Sequence, residues 1–260
     1  MAVTYLDKIL AAHREVAAAD TRDVAALREQ CMQLAPARDF AAALAAPGLS
    51  VIAEVKRRSP SKGDLAADLD PAEVARAYAE GGAACLSVLT DVGHFGGSPQ
   101  DLQAARAAVD LPVIRKDFTV CVADVYDARI MGADAVLLIA AALDDDELAT
   151  FSQAASDVGL TALFEIHDEA ELERALAADA KVVGVNQRDL ITFEVDQERA
   201  VRMAPQIPEG LVRVAESGVR GVDDAAVLYQ AGFDAVLVGE SVVTAGERAA
   251  AVRALTQVTR

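Results

Sequence analysis

Tryptophan is absent from the 260 residues, and cysteine, histidine and basic residues are scarce. Each scarcity excludes something. Lys and Arg number 24 against 41 Asp and Glu, a formal net charge of −17, which argues against nucleic acid and anionic membrane surfaces as partners. The three cysteines, Cys31, Cys85 and Cys121, are an odd count at scattered spacing, so the expectation is reduced thiols in a cytoplasm. His13, His94 and His167 are equally scattered, without Cys/His ligand spacing, which predicts no metal site. No apolar run reaches the ~18 residues of a transmembrane helix, and Met1 to Lys8 lacks the apolar core of a signal peptide.

What is present is a chain 53% hydrophobic, enough for one large domain. One stretch, Val51 to Gly63, stands out. It opens as a β-branched run of the buried-strand type and ends in a Ser59-Pro60-Ser61-Lys62-Gly63 loop. Glu54 and Lys56, two residues apart, share one face of that strand, where charge is costly unless paired or used. A solvated strand end is the plainer reading. However, Lys56, Arg57, Arg58 and Lys62 lie within seven residues, and so dense a cationic cluster on an acidic chain suggests a small anionic ligand.

Three helices are expected before the first strand, near 3–18 (a stripe through Val3, Leu6, Ile9 and His13), 24–34 and 39–45. They form an N-terminal extension, 1–48, that covers the bottom or side of a core or, alternatively, helps close a ligand site. From residue 49 onward strands alternate with helices. Strands are expected near 51–56, 84–89, 112–116, 135–140, 161–166, 182–186, 211–215 and 235–239. Helices are expected near 71–80, 99–109, 122–131, 144–157, 168–178, 196–204, 221–231 and 246–258. The strands are nearly continuous apolar runs, as buried parallel strands are. Eight βα units fit an α/β fold of the (β/α)8 TIM-barrel type, residues 49–260, and the whole chain reads as a single domain. Gly82, Gly132 and Gly232, spaced 50 and 100 residues apart, each sit between a helix and the next strand and suit left-handed helix stops.

In such a barrel, functional side chains gather where strands end. Seven of the eight expected strands end in polar residues, among them Glu54, Lys56, Lys116, Glu165, Asn186, Arg188 and Glu216; the fourth runs apolar through Leu137 into an Ala-rich loop. Lys116 would point into the mouth, where desolvation or nearby Lys56 would lower its pKa and make it a usable acid. Glu165 is then an acid/base candidate. Asn186 reads equally well as a loop cap, and Arg188 offers a fork for carboxylate or phosphate. Phe95 and Phe118 suggest an apolar ring pocket, whereas His94 and His167 read as structural. Ser217-Gly218 and Gly239-Glu240-Ser241 are small loops whose amides can approach an anion, and Ser59 would complete a phosphate site.

Glu54 to Gly63, Leu86 to Asp91, Arg115 to Phe118, Asn186 to Leu190, Glu216 to Gly218 and Leu237 to Ser241 together resemble the indole-3-glycerol-phosphate synthase family of tryptophan biosynthesis, over essentially the whole chain. The resemblance implies a cofactor-independent carboxy-lyase that closes the pyrrole ring of 1-(2-carboxyphenylamino)-1-deoxyribulose 5-phosphate with loss of CO2 and water. It implies Lys116 as general acid, Lys56 on the benzoate carboxylate, Glu54 and Glu165 in proton transfer, and Asn186 on the ribulose hydroxyls. Arg188 lies near the carboxylate and Glu216 tunes the lysines. Ser59, Ser217, Gly218, Gly239 and Glu240 match a phosphate cradle; Pro60, Phe95, Phe118, Leu137 and Leu190 match walls around the aromatic ring. The chain departs from the family pattern at His94, Gln187 and Val242 to Thr244, none of which removes a catalytic group. A monomer is favoured. Two alternatives differ in class. Phosphoribosylanthranilate isomerase would place Cys at the end of the first strand, where Glu54 and Lys56 stand. A non-catalytic phosphate-binding scaffold would tolerate loss of Lys56, Lys116 or Glu165, all of which are present.

Overall fold

A computed structural model describes residues 4–60 and 62–259; Val3 and Ser61, named above, lie outside them. Eight parallel strands close into a barrel: β1 (Ser50–Val55), β2 (Cys85–Leu89), β3 (Val113–Lys116), β4 (Ala135–Ile139), β5 (Thr161–Ile166), β6 (Val182–Asn186), β7 (Val212–Glu216) and β8 (Ala235–Val238). Each pairs with its neighbours in chain order, and β8 returns to β1 with Ser50 opposite Ala235. The expected fold is therefore the observed one.

Period-2 alternation divides the strand residues between two cores. Ile52, Cys85, Ile114, Ala135, Leu137, Leu163, Val182, Val214, Ala235 and Leu237 fill the barrel interior. Their neighbours, such as Val51, Leu86, Val136, Phe164, Val183 and Val236, face outward and pack with helix residues including Tyr78, Leu102 and Leu148. Continued towards the C-terminal ends, the inward parity reaches Glu54, Ser87, Lys116, Glu165, Asn186 and Glu216. The strand pattern alone thus delivers a ring of polar groups to one end of an otherwise apolar interior.

Before the barrel come α1 (Tyr5–Ala19), α2 (Val24–Met32) and α3 (Phe40–Leu44), which divide the two roles expected of the extension. Helix α3 plugs the bottom. Phe40 and Leu44 are fully buried against the interior cluster, and the Ser50 hydroxyl at the start of β1 donates to the Ala43 carbonyl (3.4 Å). Helix α1 lies at the mouth, where His13 meets Asp91, just past β2, and Tyr5 packs edge-on against His94 and Phe193. Helix α2 buries Leu27 and Cys31 against the side of the barrel.

The barrel helices follow as α4 (Pro71–Glu80), the one-turn α5 (Val92–Phe95), α6 (Pro99–Ala108), α7 (Val122–Met131), α8 (Asp145–Asp157), α9 (Glu169–Ala177), α10 (Arg199–Met203), α11 (Val222–Gln230), α12 (Glu240–Val243) and α13 (Arg248–Thr256). Proline at the first position and a side-chain cap start α4 and α6, with Asp70 and Ser98 accepting from first-turn amides. The Gly82, Gly132 and Gly232 turns do adopt the left-handed conformation, with φ of 88°, 102° and 101°. Two residues after the latter two, Asp134 and Asp234 repeat one device. Each carboxylate accepts an amide hydrogen from the start of the preceding strand, from Val113, the first residue of β3, and Arg213, the second of β7, at 2.9 Å. The repeat is therefore physical as well as sequential.

Candidate active site

Apart from the fully buried Ser87, the polar ring lines a cavity of about 620 Å³ at the mouth. At its base Lys56 Nζ donates to Glu54 Oε1 at 2.5 Å, while Ser87 Oγ donates to Glu54 Oε2 at 3.1 Å. Across the interior Lys116 Nζ stands 3.6 Å from Glu165 Oε2, and Asn186 Nδ2 donates to Glu165 Oε1 at 2.9 Å. The Asn186 Oδ1 also accepts the Arg188 amide at 3.0 Å, so Asn186 both caps its loop and engages the site. Glu54, Glu165 and Glu216 are all at least 97% buried, so three carboxylates and two lysines share one poorly hydrated space.

Two glycines make that crowding possible. A Cβ on Gly184 would run into Glu216 Oε1, and one on Gly239 would come within 2.5 Å of Glu54 Oε1 and 2.9 Å of Lys56 Nζ. Any larger residue at either position would displace an ionisable group.

Burial disfavours every one of these charges, and their pairing decides which survive. Glu54 is held below the usual carboxylate range because Lys56, Lys116 and the hydrogen bonds from Lys56 and Ser87 outweigh desolvation. Glu216 goes the other way: burial, then the Glu165 carboxylate, push it up to about 8 against the pull of Lys116. The sequence expectation for Lys116 is reversed. Desolvation does lower its pKa, but Glu165, Glu216 and Glu54 more than offset this, and the ammonium is stabilised. Within one ring, therefore, a carboxyl pushed towards its neutral form stands beside an ammonium held in its charged form.

Every residue proposed for the site from sequence lies on this one cavity. Pro60, Phe95, Phe118, Leu137 and Leu190 supply apolar wall, with the Phe95 and Phe118 rings 6.4 Å apart. Ser59, Ser217, Gly218, Gly239 and Glu240 gather at one side, near Lys62, whose ammonium meets Glu240 Oε1 at 2.5 Å. Ser217 and Gly218 both adopt left-handed backbone, φ 65° and 77°. Arg188 reaches the cavity and donates from Nη1 to the Phe193 carbonyl at 3.0 Å.

With this geometry in place, the comparisons are specific. Residues 6–255 match the sequence model of the family described as indole-3-glycerol phosphate synthase. The chain belongs to that family. A Nocardioides sp. protein named indole-3-glycerol phosphate synthase is 54% identical over 90% of both chains. One of the same name from Mycolicibacterium vanbaalenii is 50% identical over 96% of this chain and 92% of the relative. The Streptomyces coelicolor indole-3-glycerol phosphate synthase 1 is 53% identical over 87% and 84%. Among solved structures, a 3-hexulose-6-phosphate synthase superposes with a TM-score of 0.64 over 80% of this chain and 98% of its own, at 16% identity, which speaks for the fold alone.

Several supports of the cavity carry no signal of their own in the sequence. Ser87, inside an apolar run, positions Glu54. Gln187 is buried, and its side-chain amide donates to the Ser217 carbonyl at 2.8 Å, bracing the left-handed turn. Phe193 and Val195 add wall from the loop after β6.

The histidines, scattered in sequence, are less scattered in space. His13 Nε2 lies 3.0 Å from Asp91 Oδ2 and 3.9 Å from Asp117 Oδ1, near enough together that the three side chains form a possible metal-ligand set. Their lone pairs are already engaged. Asp91 accepts the His94 and Phe95 amides and faces both His13 and His94, while Asp117 accepts from the Phe118 amide, Thr90 and Arg115. The cluster reads as a polar latch between α1 and the mouth, with the His13 ring 5.4 Å from that of Phe118. Among the described residues, no helix is long and apolar enough to cross a membrane.

Proposed function

We propose that this mouth closes the pyrrole ring of 1-(2-carboxyphenylamino)-1-deoxyribulose 5-phosphate, giving indole-3-glycerol phosphate, CO2 and water, through two lysine–carboxylate pairs. The observation that carries this reading is the placement of Lys56–Glu54 and Lys116–Glu165 on the inner wall of one cavity. Apolar rings and an amide-rich loop border the same space.

The aromatic carbon that bears the carboxylate attacks the ketone carbon, and Lys116 gives its proton to the ketone oxygen. A stabilised ammonium suits this step, because the oxygen it protonates develops the charge of an alkoxide. Glu165, ionised, steers that ammonium. The C–CO2 bond then breaks, and its electron pair restores the aromatic ring. Removing water from the carboxylate between Phe95, Phe118 and Leu137 favours that departure. Finally Lys56 protonates the new hydroxyl, which leaves as water, while Glu54 removes the proton from the neighbouring carbon. An ionised carboxylate enters and neutral CO2 leaves, so each turnover takes up one proton. No electron is gained or lost, so side chains suffice.

Arg188 with Lys56 engages the carboxylate, and Asn186 orients the ribulose hydroxyls. Leu190 and Pro60 complete the ring slot, while Ser59, Ser217, Gly218, Gly239 and Glu240 hold the phosphate. The same reading places the protein in the cytoplasm as a monomer, in keeping with free thiols at Cys31, Cys85 and Cys121. Substrate labelled in its carboxyl carbon tests the division of labour. Lys116→Ala should lose CO2 release and indole formation together. Glu54→Gln should release CO2 in its first turnover ahead of indole. Matched CO2 and indole in Glu54→Gln would overturn the assignment of the second pair.

A further inference from the structure

One half-buried titratable group beside the cavity has no part in these steps. His167 follows directly on β5, and its ring is held from outside: the Glu171 carboxylate on α9 accepts from its Nδ1 at 3.0 Å and from its amide at 2.7 Å. That acceptor fixes the proton on Nδ1 and leaves Nε2 facing inward, 3.9 Å from Glu165 Oε1. Nε2 is buried and without a hydrogen-bond partner among the described residues. A small rotation of either side chain, or one water, closes the remaining distance.

The arrangement bears on a choice the site must make. Glu165 and Glu216 are buried neighbours, and two adjacent carboxylates in so dry a place do not both stay charged. The donors are distributed unequally between them. Each leaves one buried oxygen without a hydrogen bond, Glu165 Oε2 and Glu216 Oε1, but the Glu165 carboxylate also has the Asn186 amide at 2.9 Å, the Lys116 ammonium at 3.6 Å and the His167 ring at 3.9 Å. We propose that His167, fixed by Glu171, is a positioning residue that keeps Glu165 the ionised member of the Glu165–Glu216 pair. The groups facing its ring are Glu165, Glu171 and, with opposing effect, Arg199. The two carboxylates outweigh both burial and Arg199 and favour the imidazolium, in which Nε2–H points at Glu165. The inference rests on the proposed role of ionised Glu165 as the partner of Lys116.

The test is the pH dependence of kcat in His167→Phe, which fills the space without a charge, and in Glu171→Gln, which loosens the ring. Removing a positive neighbour raises the pH at which Glu165 ionises. The acidic limb of the kcat profile should therefore move up by about one pH unit in His167→Phe. It should move the same way, by less, in Glu171→Gln. At alkaline pH, where the imidazole is neutral and Glu165 is charged in any event, variants and parent should converge, with KM little changed throughout. A uniform fall in kcat at every pH, or an unshifted limb in both variants, overturns the proposal. Glu165→Gln separates the layers: normal turnover there removes the underlying role of Glu165, whereas lost turnover with an unshifted His167→Phe profile removes only the role of His167.

Discussion

Replacing Glu216 by Gln should leave a protein whose stability no longer falls between weakly acidic and weakly alkaline pH as the parent's does. Glu216 is 1% exposed among two other carboxylates, and its pKa is pushed up to about 8, chiefly by burial and then by Glu165. In the unfolded chain it returns to its ordinary value near 4.5. Between those values the folded state binds a proton that the unfolded state has lost. The corresponding stability is fully present below the unfolded value and disappears as pH rises through the folded one. Linkage sets the slope at about 1.4 kcal/mol per pH unit for one proton. From about pH 6 to about pH 8 the parent should therefore lose on the order of 2 kcal/mol relative to Glu216→Gln. Denaturant unfolding midpoints at several pH values, with parent and variant compared pairwise, measure that difference while cancelling the other titrating groups. The reasoning is refuted if the two profiles run parallel, because Glu216 would then bind its proton equally weakly in both states.

Gly239→Ala should lower kcat severely with the barrel still folded, since its Cβ would fall 2.5 Å from Glu54 Oε1 and 2.9 Å from Lys56 Nζ. Parent-like activity alongside a parent-like circular dichroism spectrum would show that the pair tolerates displacement. Ser217→Gly should raise stability by about 0.5–1 kcal/mol by relieving a left-handed L-residue. It should weaken binding of the phosphorylated substrate through loss of the hydroxyl. Thermal unfolding and KM read the two effects separately.

Much of this site was legible because inward parity is a local property. An apolar run that ends in a polar group at the right phase places that group inside the mouth, and Glu54, Lys116, Glu165, Asn186 and Glu216 all obey the rule. The roles of the extension were harder to read. Helix periodicity shows that α1 and α3 have apolar faces but not which end of a barrel each meets, and α3 plugs the bottom while α1 crosses to the mouth. His13 falls on the first helix's stripe, and its partner Asp91 is 78 residues away, so nothing local marks the latch. The sign of the Lys116 shift was not legible either. It depends on three carboxylates from β1, β5 and β7 converging on one ammonium, and only the closed barrel sets those distances. Gly184, likewise, is an unremarked residue in a strand until the Glu216 side chain is seen to occupy the space beside it.

The most direct test of the chemistry uses the missing tryptophan. With no indole of its own and only four tyrosines, the protein is nearly dark where indole fluoresces. Purified protein is mixed with 1-(2-carboxyphenylamino)-1-deoxyribulose 5-phosphate, and the emission is followed with time. The expected result is a catalytic rise in indole fluorescence that Lys116→Ala reduces at least 100-fold, within the ~10²–10⁴ typical of a general acid, while still binding the substrate. A folded parent that binds the substrate without any rise, or a Lys116→Ala variant that turns over normally, would contradict it.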